Sequence, residues 1–418
     1  MEGGALQLAA YGPQDLFLTG NPQMTFFIGV YKRYTNFAIE QVREYFNGLL
    51  SFGKSTYCEI SREGDLINQV FLYCKLPALP QDPSDPCYSA SWINSIGNAL
   101  IRKVEIEIGG VVIDTRYGEW LEIWNELTLP DDKQDGYFDM IGKHEYFNST
   151  MQGGEQELYI PLDFWFCRNI GLSLPLVAIQ HHNIRFNFDI RKFTECWTSS
   201  DGTLRAMDDG RCPTEPRIEE AFLYVDHIFL DDAERRAFVN NDHKYLIEQL
   251  QIFTRGVDFD TVDYQINLDF KLPTKEIFWV IRHDTTCSIG IPENGSELFN
   301  FSDRPFYSPG IPQDPMLSAR IQLEGNDLFK ERLNKFFREI QPFQRHTRVP
   351  RNFIYTYSFA LYPEEWWPSG TINLSRVDTF TVNMRIKDDL PAAQIVFYGI
   401  NYNVFEVRAG MAGVVFAN

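Results

Sequence analysis

The sequence predicts an all-β protein of two consecutive antiparallel β-sandwiches, each of eight strands with short helices in its loops. Three observations carry that expectation. Apolar residues make up 44% of the 418 and aromatics 15%, with 34 Phe and 20 Tyr, types that favour pleated, half-buried surfaces. The 28 Gly and 22 Pro are scattered rather than clustered, as strands joined by many turns require. A set of alternating segments also occurs twice in the same order, about 200 residues apart. That many strands per copy need two packed sheets, because one open sheet would leave an apolar face bare, and a jelly-roll order is the natural arrangement.

The stretch from Ala221 to Gln251 is the hinge of this organisation. It reads as strand, helix, strand: AFLYVDHIFL has Phe222, Tyr224, Ile228 and Leu230 on one parity, Asp231 or Asp232 can cap a helix carrying Glu234, Arg235 and Arg236, and Tyr245 to Ile247 resume an apolar run. Before it, residues 1–24 form an arm too poor in apolar residues to build a core, with Leu6, Leu8, Leu16, Phe17 and Leu18 as its anchors. Strands are expected at Thr25–Val30, Thr56–Ile60 and Leu66–Leu76, with Gly64 available for positive φ in the turn between the last two. The basic aromatic patch Tyr31-Lys32-Arg33-Tyr34 holds too few charges for nucleic acid and fits packing or an interface better. Pro77–Pro86 reads as a loop. Ile101–Ile108 alternates with Val104, Ile106 and Ile108 inward, Gly109-Gly110 turns the chain into Val111–Ile113, and Trp120, Ile123, Trp124 and Leu127 have helical spacing. A polar loop follows from Asp131 to Gly154. Glu157–Phe166 is a strand whose Pro161 marks an edge or bulge. Gly171–Ala178 is apolar, Asn183–Ile190 alternates with Ile184, Phe186, Phe188 and Ile190 inward, 195–216 is a polar loop, and Arg217–Leu230 closes the set.

The second half repeats these events. Strands are expected at Leu250–Phe253, Val262–Phe270 and Glu276–Arg282, then a long loop from Thr285 to Pro315. Ala319–Gly325 matches the pattern of Arg102–Gly109 and leads to a helix at roughly Leu328–Phe337. Ile354–Tyr362 corresponds to Glu157–Phe166, Gly370–Leu374 to Gly171–Leu174, Val377–Ile386 to Asn183–Ile190, and Ile395–Val407 to Arg217–Leu230. The domains are therefore expected as an arm (1–24), a first sandwich (25–216), its closing strand with the helical junction (217–245), and a second sandwich (246–418). The last eighteen residues are unusually apolar for a terminus. Gly410–Phe416 is expected to cross back against the body or a neighbouring subunit.

Chemistry is set aside on the residues. A net charge of −19 disfavours wrapping nucleic acid. Seven cysteines, an odd number without CxxC, fit free thiols in a reducing compartment, with a Cys196–Cys212 pair the alternative. Neither a signal peptide nor an apolar run of ~18 residues is present. His181-His182 would point to opposite faces of a strand and cannot easily share a metal, and His227 and His243 lack ligand spacing. The acidic pairs Asp131-Asp132, Asp231-Asp232, Glu364-Glu365 and Asp388-Asp389 sit in turns or caps. No nucleophile elbow, phosphate loop or dinucleotide fingerprint occurs, so no catalytic, cofactor or metal residues are assigned. Asn148, Asn294, Asn300 and Asn373 open glycosylation sequons that carry little weight without a secretory signal. Trp366-Trp367 would suit sugar stacking in a carbohydrate-binding sandwich, or one ring packs while the other fills an interface.

Several blocks carry a resemblance. LQLAAYGPQDLFLTGNPQMTFFIGV at Leu6–Val30, YKRYTNFAIE at Tyr31–Glu40, SREGDLI at Ser61–Ile67, VEIEIGG at Val104–Gly110 and LPLVAIQHHNIRF at Leu174–Phe186 follow one another in order. HIFLDDAERRAF, HKYLIEQLQ and the closing NYNVFEVRAGMAGVVFAN complete the series. Together they resemble the major capsid proteins of large icosahedral double-stranded DNA viruses, from one end of the chain to the other. The resemblance implies a double jelly roll and no enzyme. It implies a virion protein assembled in the host cytoplasm as a homotrimer of pseudo-sixfold outline. Its expected partners are neighbouring capsomers, minor capsid proteins beneath the shell and internal membrane-associated proteins, without direct sequence-specific nucleic acid binding. A minor or vertex-associated paralogue is the alternative within the family.

Overall fold

A computed structural model describes residues 3–10, 12–13, 21, 27, 29, 32–79, 90–144, 154–199, 215–257, 261–283, 298–304, 311–388, 390 and 393–416. The chain divides into two units, Met1–Asn36 and Phe37–Asn418. The first holds a short helix, α1 (Gly3–Ala9), with every side chain exposed. The strand expected at Thr25–Val30 lies mostly outside the described residues.

In the larger unit the first half supplies β1 (Phe37–Tyr45), β2 (Ser55–Glu59), β3 (Leu66–Leu76), β4 (Ala90–Trp92), α2 (Ile96–Leu100), β5 (Ile101–Ile108), β6 (Val111–Tyr117), α3 (Gly118–Thr128), α4 (Gln134–Ile141), β7 (Gln156–Pro161), α5 (Trp165–Arg168), β8 (Ile184–Ile190), β9 (Trp197–Ser199) and β10 (Glu220–Leu230). One sheet runs β1-β10-β3-β7 and the other β2-β8-β5-β6, antiparallel throughout, while β4 and β9 pair as a small ribbon. Alternation places Val70, Leu72, Leu223 and Val225 of the first sheet in one core with Val104, Ile106, Phe186 and Phe188 of the second.

After the junction helix α6 (Asp232–Asn240) come β11 (His243–Val257), β12 (Asp263–Asn267), β13 (Pro273–His283), β14 (Met316–Leu323), β15 (Asn326–Asp327) and β16 (Arg332–Leu333). A π-helical turn at Phe336–Ile340 then runs into α7 (Gln341–Arg345), followed by β17 (Tyr355–Ser358), β18 (Ile372–Asn373), β19 (Phe380–Ile386), β20 (Ala393–Arg408) and β21 (Met411–Val414). The main sheets run β11-β20-β13-β17 and β12-β19-β14-β15. Strand for strand this is the order of the first sandwich, with β20 in the place of β10 and β19 in that of β8. The duplicated pattern therefore reflects one topology used twice, a double jelly roll with short helices in its connections.

Several expectations change. The edge strand β1 was not anticipated: most of its residues are exposed, so FAIEQVREY lacks the alternation that betrays half-buried strands. The loop expected at 131–154 contains α4. The strand expected to reach Phe166 ends at Pro161, on the sheet edge where a missing N–H costs nothing, and Trp165 begins α5. Gly171–Ala178 forms a 3-10 turn and loop, with only an isolated bridge from Leu174 to Ile67. Ile354–Tyr362 shortens to β17. The helix expected at 328–337 lies later. Glu324 and Gly325, at φ 51° and 76°, turn the chain so that β15 pairs back on β14. The helix then continues past Phe337, because the π turn lets Pro342 sit in the first turn of α7, where its missing N–H is tolerated. Gly64 is not at positive φ; a Cβ there would come within 2.7 Å of the His227 side chain, and its N–H donates to His227 Nδ1 at 3.1 Å. Close approach, not turn geometry, requires glycine.

Candidate functional site

The most heavily buried polar and aromatic groups gather where the two sandwiches meet. β20 is buried along nearly its whole length. Ile395 and Phe397 face the second core, while Val396, Tyr398 and Ile400 join the first. A sheet covered on both faces reads as a continuous apolar run, as IVFYGINYNVF does. The first sandwich covers this sheet with α3. Gly118 starts that helix under the α2 region, where a Cβ would sit 2.0 Å from the Asn98 carbonyl oxygen. Trp120 and Trp124 stack at 5.6 Å. Trp120 meets Phe278 edge-on at 5.0 Å and Tyr398 at 5.4 Å. Glu119 accepts hydrogen bonds from the Tyr398 hydroxyl at 2.8 Å and from Arg282 at 3.1 Å. Burial, then the Glu119 charge, pushes the Tyr398 phenol well above its ordinary range.

An ionic chain crosses the same seam. Arg168, at the end of α5, donates to Asp163 at 2.9 Å and to Glu248 of β11 at 2.6 Å, and its guanidinium lies 4.2 Å from the Trp124 ring centroid. Glu248 also holds Lys275, whose ammonium is wholly buried beside the Tyr402 ring. Burial lowers the Lys275 pKa, with Glu248 opposing it. Alongside, Asp114 pairs with Arg116 at 2.8 Å and accepts from the Leu250 N–H at 3.1 Å; burial raises its carboxyl to about 6. Gln249 donates to the Ile113 carbonyl at 2.5 Å. Farther along, Glu126 binds Lys143 at 3.2 Å and accepts from the Arg351 N–H at 3.1 Å, and the Arg348 N–H donates to the Leu127 carbonyl at 2.9 Å. His346 lies between Glu276 at 2.7 Å and Glu364 at 3.0 Å, beside Trp124. These charges have paired partners and sit in packed protein. The arrangement suits holding two sandwiches in one orientation: removing one member of such a pair leaves its partner charged and buried, which costs about 3–5 kcal/mol.

The residues weighed from sequence fall elsewhere. His181 and His182 seat the C-terminal hairpin: the His181 N–H donates to the Gly410 carbonyl at 2.9 Å, and the Ala412 N–H donates to His182 Nδ1 at 3.2 Å. His227 is buried under Gly64, 3.5 Å from Glu44, and His243 lies 2.7 Å from the Phe238 carbonyl. Among the described residues no group of three or more His, Cys, Asp or Glu is arranged to hold a metal ion. Asp231 is the N-cap residue of α6. Arg235 clamps Asp65 through both carboxylate oxygens at 2.8 and 2.9 Å, tying the junction helix to the first sandwich. Asp131 meets Arg348 at 3.1 Å. Trp366 and Trp367 are partly exposed, and Trp367 packs 5.6 Å from Tyr362. Asn300 is buried and donates to the Arg304 carbonyl, so the folded chain hides that sequon. Asn373 is exposed, while Asn148 and Asn294 lie outside the described residues. Cys196 is a free, buried thiol, and Cys212 lies outside the described residues. Sequence reasoning missed the seam itself. The one available signal was α3, whose apolar and acidic residues are almost all buried.

Comparison with known proteins covers nearly the whole chain. A family model described as the major capsid protein N-terminus matches residues 25–231, and one described as the large eukaryotic DNA virus major capsid protein matches 234–413. The chain is 37% identical to the major capsid protein of Pyramimonas orientalis virus and 35% identical to that of Phaeocystis pouchetii virus, each alignment spanning 100% of both chains. It also resembles a chain of the quasi-atomic model of the PBCV-1 virus capsid, at a TM-score of 0.76 and 29% identity over 94% of this chain and 100% of that one.

Proposed function

The chain belongs to the major capsid protein family of large eukaryotic DNA viruses, and from that premise we propose that three copies close into the capsomer it contributes to an icosahedral virion shell. The observation that carries this is the duplication. Each chain brings two sandwiches of identical strand order, locked by a buried polar seam, so three chains present six similar corners. In this reading residues 1–24 are an arm, 25–216 the first jelly roll, 217–245 its closing strand and the junction, and 246–418 the second. The role is structural rather than catalytic. Partners are neighbouring capsomers, minor capsid proteins beneath the shell and internal membrane-associated proteins. Assembly in the host cytoplasm fits the free thiols of Cys58, Cys74, Cys167 and Cys196, which burial holds protonated.

Native mass measurement of the purified full chain tests the reading. Three times 48.6 kDa is expected; a stable monomer at micromolar concentration would count against it.

A further inference from the structure

We propose that the gap filled by β20 is a strand-acceptor site: until β20 inserts, β11 and β13 stand apart beside a first sandwich that is already built, and the gap between them takes a separate extended peptide of β20 sequence. The inference does not rest on the trimeric reading above. The topology itself creates the gap. β20 is antiparallel to β11 along the whole of that strand, from His243 opposite Val407 to Val257 opposite Ala393. On its other edge it is antiparallel to β13, from Thr274 opposite Asn401 to His283 opposite Ala393. β11 and β13 therefore run parallel to each other, and no hairpin joins them. The strand that closes the sheet follows both in the chain: Gln251 and its hydrogen-bonded partner Asn401 are 150 residues apart. Pairing across such a separation forms slowly.

The first sandwich does not wait for β20. Its two main sheets are complete within residues 37–230 and face one core. Chains of this length fold unit by unit through populated intermediates, and the unit whose contacts are nearer in sequence closes first. The ion pair across the gap fits the same order. Lys275 of β13 and Glu248 of β11 meet beside the Tyr402 ring of β20. Both charges stay hydrated while the gap is open and become buried only when Tyr402 arrives.

The site reads both sequence and register. Val396, Tyr398 and Ile400 enter the first core cluster while Ile395 and Phe397 enter the second, so a slip of one residue would reverse both faces. At Gly399 a Cβ would come within 2.9 Å of the Phe270 ring, which leaves room for glycine alone. Asn401 accepts from Gln251 at 2.7 Å, and Asn403 donates to Gln249 at 2.8 Å. Main-chain hydrogen bonds on both edges, with distinct surroundings for alternate side chains, are the means by which a sheet captures an added strand. The ligand is thus an extended, largely apolar peptide with glycine and asparagine at fixed places.

The test uses the full-length Tyr398→Pro variant, because proline cannot sit within a central strand, together with a synthetic peptide spanning Ala393–Arg408. In hydrogen exchange the variant alone is expected to keep slow amides in β3, β5 and β8 and to lose protection in β11 and β13. Adding the wild-type peptide should restore slow exchange in β11 and β13, with one peptide bound per chain in native mass measurement. A control peptide carrying the same Tyr398→Pro change should do neither. Loss of protection in both sandwiches together would overturn the open state, since the two halves would then fold as one unit. Wild-type protection throughout the variant would show that β20 is not needed to complete the sheet. Failure of the wild-type peptide to restore protection, or equal binding of the control peptide, would overturn the acceptor site.

Discussion

His346 sits between two carboxylates with no exposure of its side chain. Burial by itself would depress its pKa, but the charge of Glu276 and hydrogen bonds to Glu276 and Glu364 outweigh it and raise the value to about 9. A folded-state pKa above the unfolded 6.5 means the folded chain holds the proton more tightly. The contribution is therefore complete below about pH 6.5 and is lost as pH rises through about 9. Its full size is roughly 3 kcal/mol. We expect His346→Gln to lower the melting temperature most at pH 6, with the gap to wild type shrinking steadily toward pH 9.5. A gap independent of pH over that range would mean that the imidazole binds its proton equally in the folded and unfolded chains. The same residue joins the second sandwich to Trp124 of the first, so its titration loosens the seam rather than a surface.

Among elements, the β20–β21 hairpin does more than end the chain. Ala409 and Gly410 take φ of 50° and 78° to make the turn, and Phe405, Val407 and Ala412 enter the first sandwich's core cluster although they belong to the second half. The Val415 N–H donates to the Val404 carbonyl, and Asn403 donates to the Phe416 carbonyl. The hairpin is thus a strap across the seam, and burial of its apolar groups is worth roughly 1.5–3 kcal/mol per large side chain as an upper range. Removing residues 410–418 should lower the melting temperature well beyond the effect of trimming a frayed end. In hydrogen exchange the amides of Ala412 and Val415 should exchange slowly. Fast exchange at both would mean that the strap is open in solution.

At the scale of the whole molecule, rigidity comes from burying both faces of one sheet. The arm is different in kind: α1 exposes Leu6 and Leu8, and a helix of seven residues is too short to hold itself in water. We expect a chain lacking residues 1–24 to keep the native mass of the full trimer while closing fewer shells, scored by electron microscopy. Loss of the trimer itself would place the arm within the subunit core.

The sequence by itself determined the strands with strict alternation. Ile101–Ile108 forms with the expected limits, and Ile184, Phe186, Phe188 and Ile190 point inward as read, because period-two burial is written locally; Leu66–Leu76, an apolar-rich run, also has the expected limits. It also determined the double topology, since the same order of patterns occurs twice, and the helix around Trp120 and Trp124. Tertiary structure decided the rest. The strand at Phe37–Tyr45 exists because β10 pairs with it, not because its residues are half-buried. Gly64 answers to His227, 163 residues away, and Lys275 is tolerated in the interior only because Glu248 waits on a neighbouring region of the sheet. A charged residue in sequence looks like surface, and only the fold says which opposite charge it meets or which face is already covered. Hence the strands were legible and the seam was not: strand patterns are properties of one segment, whereas the seam is a property of two segments brought together.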